Sequence, residues 1–126
     1  MSKADQPPAI DPDLVAVARA AIPAEERLTA LVATFQALGD LTRVRLLYAL
    51  LTGPLCVRDL AILVGVSESG VSHQLRYLRD RRLVKPRRAG NVIYYALDDQ
   101  HMAALFREAD YHVDHVHLGL PDHEDH

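Results

Sequence analysis

Leu28, Leu31, Val32, Phe35 and Leu38 recur at spacings of three and four, the signature of an amphipathic helix. Pro23-Ala24-Glu25-Glu26 reads as its start, with acids at the positive end of the helix dipole, and Gly39 ends it. Asp40 or Thr42 caps a second helix whose stripe is Val44, Leu47, Leu50 and Leu51; Thr52-Gly53-Pro54 stops it. Cys56 to Val64 fits a short helix closed by Gly65. After Val66-Ser67-Glu68, Ser67 or Ser69 caps a helix running to about Arg82, with Val71, Leu75 and Leu78 facing the core. Two helices joined by a few residues including Gly form a helix-turn-helix pattern.

The period then changes. Leu83 to Arg88 and Val92 to Leu97 are strand-like, rich in β-branched and aromatic residues, and Gly90-Asn91 supplies the turn between them. A hairpin straight after the second helix makes a winged helix-turn-helix. A long helix from about Asp99 to about Leu118 follows. At the other end, Pro7, Pro8 and Pro12 mark residues 1–13 as a loose arm, and Leu14 to Ala21 as a short helix. The fold expected is mainly α with one β-hairpin: an arm over 1–22, a winged helix-turn-helix DNA-binding and dimerisation domain over 23–118, and a His- and acid-rich tail over 119–126.

Composition adds bounds. At 126 residues the chain makes one domain with arms, and 49% hydrophobic residues without Trp predict an aliphatic core. The net charge of −3 gives no overall sign of nucleic-acid binding, but its distribution does. Arg76, Arg79, Arg81, Arg82, Lys85, Arg87 and Arg88 stand against the single acid Asp80. Such a local basic patch is either an electrostatic footprint for DNA or an ordinary solvated helix end and hairpin. The single cysteine, Cys56, excludes an intrachain disulfide framework and reads as a packed residue. No stretch resembles a signal peptide or a membrane span, so a cytoplasmic protein is expected.

The amino end of the second helix would enter the major groove. Ser69 and Ser72 suit phosphates or base edges, Gln74 can pair bidentately with adenine, and His73 can donate to a phosphate or a guanine. Arg76 and Arg79 suit either target, and Arg87, Arg88 and Asn91 lie along the wing, near backbone or minor groove.

The last helix carries different chemistry. Asp99, His101, His112 and His115 are candidate ligands for a borderline transition metal. His112 and His115 share a face, and His101 falls near it three turns earlier. Eleven residues nevertheless span ~16 Å of helix rise, far beyond metal–ligand bonds of about 2 Å. Two helices packed antiparallel across a twofold axis close the site, with Asp99 and His101 of one chain meeting His112 and His115 of the other. The spacing therefore predicts a dimer as well as a metal, and the fold expected is a homodimer through the N-terminal and C-terminal helices. Three imidazoles and a carboxylate suit tetrahedral Zn2+. They equally begin an octahedral Ni2+ or Co2+ site, for which His117 and His123 are additional donors. The bland alternative is a solvated His cluster that binds metal weakly. A metallohydrolase would use Glu108 or Asp114 as base but leaves the basic winged helix without a purpose, so no enzyme is expected.

Three stretches carry a family resemblance: Leu55-Cys56-Val57-Arg58-Asp59-Leu60, the run Val66 to Arg79, and Gly90-Asn91-Val92-Ile93-Tyr94-Tyr95. With Ala37 to Leu47, they resemble the ArsR/SmtB family of metal-sensing repressors over roughly residues 25 to 118. Leu41 stands where that family usually has Pro. The resemblance implies a homodimer that binds double-stranded operator DNA when metal-free and leaves it when metal binds. It also implies that Asp99, His101, His112 and His115 are the ligand set of the members that sense through the last helix. The family's other site uses a Cys pair where this chain has Cys56-Val57-Arg58, so that site is expected to be absent. The C-terminal run Tyr111 to Leu120 also resembles the nickel- and cobalt-sensing branch. A zinc-responsive repressor is the leading expectation. A nickel- or cobalt-responsive one, and a constitutive DNA-binding protein without a metal switch, are the alternatives.

Overall fold

The computed structural model describes residues 6–117 and 119. The elements are α1 (Pro12–Ala21), α2 (Glu25–Leu38), α3 (Leu41–Leu50), β1 (Leu55–Cys56), α4 (Val57–Val64), α5 (Glu68–Asp80), β2 (Val84–Ala89), β3 (Val92–Leu97) and α6 (His101–His117). The chain divides into two compact units, Met1–Ala33 and Thr34–His126.

In the first unit, α1 starts earlier than its sequence signals imply. Asp11 caps it by accepting from the Leu14 N–H at 3.3 Å, and Pro12 fills the first turn, where a missing N–H costs nothing. The expected loose arm therefore ends before Pro12. No residue of α1 is buried.

The second unit holds the core. Leu46, Leu47, Leu60, Val71, Leu75, Leu78 and Val84 are fully buried, joined by Tyr95, Met102 and Phe106. The core face expected of α5 is thus correct; on α3 Leu47 and Leu50 are buried as expected, Leu46 joins them and Val44 and Leu51 are half-buried, while the apolar stripe of α2 stays largely exposed. Phe35 is 60% exposed, and Ala37 is the buried residue of α2. Asp40, rather than Thr42, caps α3, its Oδ2 accepting from the Arg43 N–H at 3.0 Å.

Helices α4 and α5 form the helix-turn-helix. Gly65 closes α4 in the left-handed region (φ 72°), which glycine reaches without a Cβ penalty. Ser67 then caps α5, its Oγ accepting from the Gly70 N–H at 3.0 Å. The hairpin β2–β3 pairs as expected, from Val84↔Leu97 to Ala89↔Val92. Gly90 supplies the positive φ (64°) at the tight turn. The sheet has a third strand, in the order β1-β3-β2: Leu55 and Cys56 pair with Tyr95 and Tyr94. Cys56 therefore ends a strand, and α4 begins one residue later than expected.

Candidate nucleic-acid interface and metal centre

Burial of Val71, Leu75 and Leu78 turns the opposite side of α5 to solvent. Ser69, His73, Arg76 and Arg79 are exposed on this helix, and Ser72 is half-buried. Arg87, Arg88 and Asn91 are exposed on the wing. Between the start of α5 and the wing tip lies an open cleft of about 460 Å³, whose lining includes Cys56, Ser69, Ser72, Asn91 and Ile93. At its edge Arg58 and Glu68, both exposed, form an ion pair at 3.6 Å. Arg79 pairs with its neighbour Asp80 at 3.1 Å. Exposed pairs of this kind hold side chains loosely and yield readily to a phosphate.

Gln74 sits differently from the other residues expected to touch DNA. It is half-buried, and its Oε1 accepts from Arg43 Nη1 at 3.3 Å. The same guanidinium donates from Nε to the Ala37 carbonyl at 2.8 Å and from Nη2 to the Gln36 carbonyl at 3.2 Å. It also lies 4.3 Å from the centroid of the Tyr77 ring. Arg81 stacks on that ring at 3.4 Å and donates to the Tyr77 carbonyl at 3.0 Å. Sequence reading gave Arg43 no role, because its partner lies 31 residues away and no periodic signal links them.

The expected metal ligands occupy the two ends of α6. Asp99 precedes the helix, and its Oδ1 accepts from the His101 N–H at 2.8 Å and lies 3.2 Å from His101 Nδ1. His101 is almost fully exposed, with a side-chain exposure of 91%. His112 and His115 are exposed at the far end. His117 is the last residue of α6, and His123 lies outside the described residues. Among the described residues of one chain, no three His, Cys, Asp or Glu side chains converge on a point. Carboxylate and imidazole donors fit a borderline divalent cation, but each end of α6 supplies only half of a four-ligand site.

Between these ends, Met102 and Phe106 fasten α6 to the core, and Phe106 stacks on Tyr48 with centroids 4.7 Å apart. Phe35, Tyr48, Phe106, Ala109 and Val113 line much of an apolar groove of about 400 Å³. Burial raises the Tyr48 phenol above its ordinary value, and the Asp110 carboxylate pushes it further the same way.

A helix-turn-helix followed by a hairpin wing, with a polar and basic face on the second helix, defines a winged helix-turn-helix transcriptional regulator. Residues 40–85 match the family model for bacterial regulatory proteins of the arsR family. The transcriptional regulator NmtR of Mycobacterium tuberculosis is 49% identical over 105 residues, covering 82% of this chain and 88% of NmtR. The solution structure of apo-NmtR superposes with a TM-score of 0.63 at 48% identity, with the same coverage of each chain. The transcriptional repressor SmtB homolog of a Synechocystis species is 54% identical over 79 residues, 63% of this chain and 60% of that protein. A homodimeric winged helix-turn-helix domain from Mycobacterium bovis, Mb0332, gives a TM-score of 0.66 at 26% identity, covering 84% of this chain and 98% of that one. The chain belongs to the ArsR/SmtB family of transcriptional regulators and is not an enzyme.

Proposed function

We propose that the chain is a metal-responsive repressor that binds operator DNA as an apo-homodimer and is released when zinc binds. The observation that carries this reading is the pair of donor sets at opposite ends of α6, Asp99 with His101 and His112 with His115, on the element following the wing. Asp99 and His101 of one protomer, with His112 and His115 of its partner, would hold the metal, and symmetry would repeat the site. Dimerisation has apolar surface to use: α1 buries none of its residues, and α6 leaves Val113 and Val116 exposed. Ser69, Ser72, His73, Arg76 and Arg79 of α5 and Arg87, Arg88 and Asn91 of the wing form the DNA surface, while Gln74, also expected there, is half-buried and faces Arg43. Metal can weaken DNA binding only if the metal-bound dimer disfavours the DNA-competent arrangement. Tying the two α6 helices together changes the spacing or freedom of the recognition helices.

Fluorescence anisotropy with a twofold-symmetric duplex tests this reading. Saturating zinc should lower operator affinity by at least about tenfold, a coupling within the usual allosteric range. His112→Ala should remain bound whatever the zinc concentration. Tighter binding on adding zinc would reverse the mechanism, and equal affinity with and without metal would leave a constitutive DNA-binding protein.

A nickel- or cobalt-responsive repressor is the second reading, favoured by the further donors His117 and His123. Six-coordination needs more ligands than the core four. X-ray absorption on the zinc and nickel forms separates the two, with four N/O ligands for cognate zinc and about six for cognate nickel.

A further inference from the structure

Gln74 lies at the edge of the exposed side of α5, half-buried and turned toward Arg43. It is three residues after Val71 and four before Leu78, both fully buried, so it stands beside the core stripe. Ser69, His73 and Arg76 are exposed, as a reading face requires. The chemistry of its contact is equally specific. A guanidinium has only donors, so the atom facing Arg43 must be the amide oxygen. Bidentate pairing with adenine needs both an acceptor and a donor from the same amide, and here the acceptor is engaged inward. Arg43 is itself fastened to the Ala37 and Gln36 carbonyls at the end of α2 and stacked on Tyr77 of α5. One guanidinium thus joins the last turn of α2, the first turn of α3 and the middle of the recognition helix.

We propose that Gln74 is a positioning residue rather than a base reader: Arg43 clamps its amide oxygen, fixing the recognition helix against the α2–α3 corner while Ser69, His73 and Arg76 meet the bases. The clamp deepens the DNA-binding reading given above and rests on it. It needs an acceptor at position 74 and makes no use of the amide NH2. A base reader needs that NH2 to donate.

Four variants of the full chain separate the roles. Gln74→Glu keeps the acceptor and loses the donor. Gln74→Met keeps the length and loses both, Arg43→Met removes the clamping cation, and the fourth is the double Met variant. Each is assayed by anisotropy on a duplex selected by the wild-type protein from a random library, and on a panel with every base position replaced. Gln74→Met should weaken binding about tenfold and Arg43→Met at least as much, since it also loses the Ala37 and Gln36 bonds, and the double variant should be no worse than Arg43→Met alone. Gln74→Glu should stay within about threefold of wild type, because the clamp survives as a charge-assisted bond. None should change base preference. A preference altered at any position by Gln74→Glu or Gln74→Met, or additive losses in the double variant, would overturn the clamp.

Amide hydrogen exchange in the DNA-free protein supplies a readout independent of the operator. Exchange across Ser72 to Arg79 should be about tenfold faster in both Met variants and near wild type in Gln74→Glu. Unchanged exchange in the Met variants would also sink the proposal. If the wild-type protein selects no duplex, the DNA-binding reading fails, while the exchange result still judges the clamp.

Discussion

Arg82 is the one non-glycine residue with positive φ (59°) among the described residues. It sits just past the end of α5, where the Leu83 N–H reaches back to the Leu78 carbonyl at 3.0 Å and the Arg82 N–H to the Arg79 carbonyl at 2.9 Å. That pairing is the Schellman closure, and its left-handed residue is usually glycine. A side chain there costs ~1–2 kcal/mol, partly offset by the greater freedom glycine has in the unfolded chain. Arg82→Gly should therefore stabilise the protein by about 0.5–1 kcal/mol in urea unfolding. A loss of stability would mean that the arginine side chain contributes more than its backbone strain costs. Nothing in the sequence marked this position, since Arg82 reads as one member of a basic run. The Ser67 cap involves neighbours in the chain and was legible as a residue type in the right place; the bond from the His101 N–H to Asp99 is just as local, but Asp99 was read only as a ligand. The Arg43–Gln74 bond was not, because only the packing of α3 against α5 brings the two together.

At the scale of elements, α5 shows how local chemistry and packing agree. Its N-terminus is satisfied by Ser67 Oγ on the Gly70 N–H, and three of its side chains are fully buried. Removing the cap leaves an orphan donor in the first turn of the helix. Ser67→Ala should cost about 1 kcal/mol, while Ser67→Asp, which caps as well, should stay near wild type. Thermal or urea unfolding of the pair checks this, and equal losses from both would assign the effect to something other than capping. Boundaries expected from such signals fall within a residue or two of those observed for α3, α5, β2, β3 and α6. β1 escaped notice for a physical reason. Two residues have no periodicity, and they form a strand only because Tyr94 and Tyr95 of β3 present an edge. The stripe of α2 misled differently: spacing shows that a helix has an apolar face, but not which partner covers it. Phe35 on that face stays 60% exposed in the single chain.

For the whole molecule, the decisive length is that of α6. Its 17 residues hold His101 at one end, with Asp99 just before it, and His112 and His115 toward the other. His101 and His112 are ~16 Å apart along the axis, so one chain cannot bring them to one ion. Protomers carrying His101→Ala mixed with protomers carrying His112→Ala should therefore regain one intact site per heterodimer. Metal titration of the mixture, compared with each mutant homodimer, measures it. Binding no tighter in the mixture than in the homodimers would rule out sites shared between subunits.

The order of the helices and the hairpin, the helix-turn-helix, the wing turn and the donor spacing were determined by the sequence alone. All are set by residues close together in the chain, whose periods, caps and turn preferences act locally. The tertiary structure decided what depends on which surfaces meet. It added the third strand, left the apolar face of α2 largely open and turned Gln74 toward Arg43. Bonds between side chains distant in the chain exist only once the core has formed.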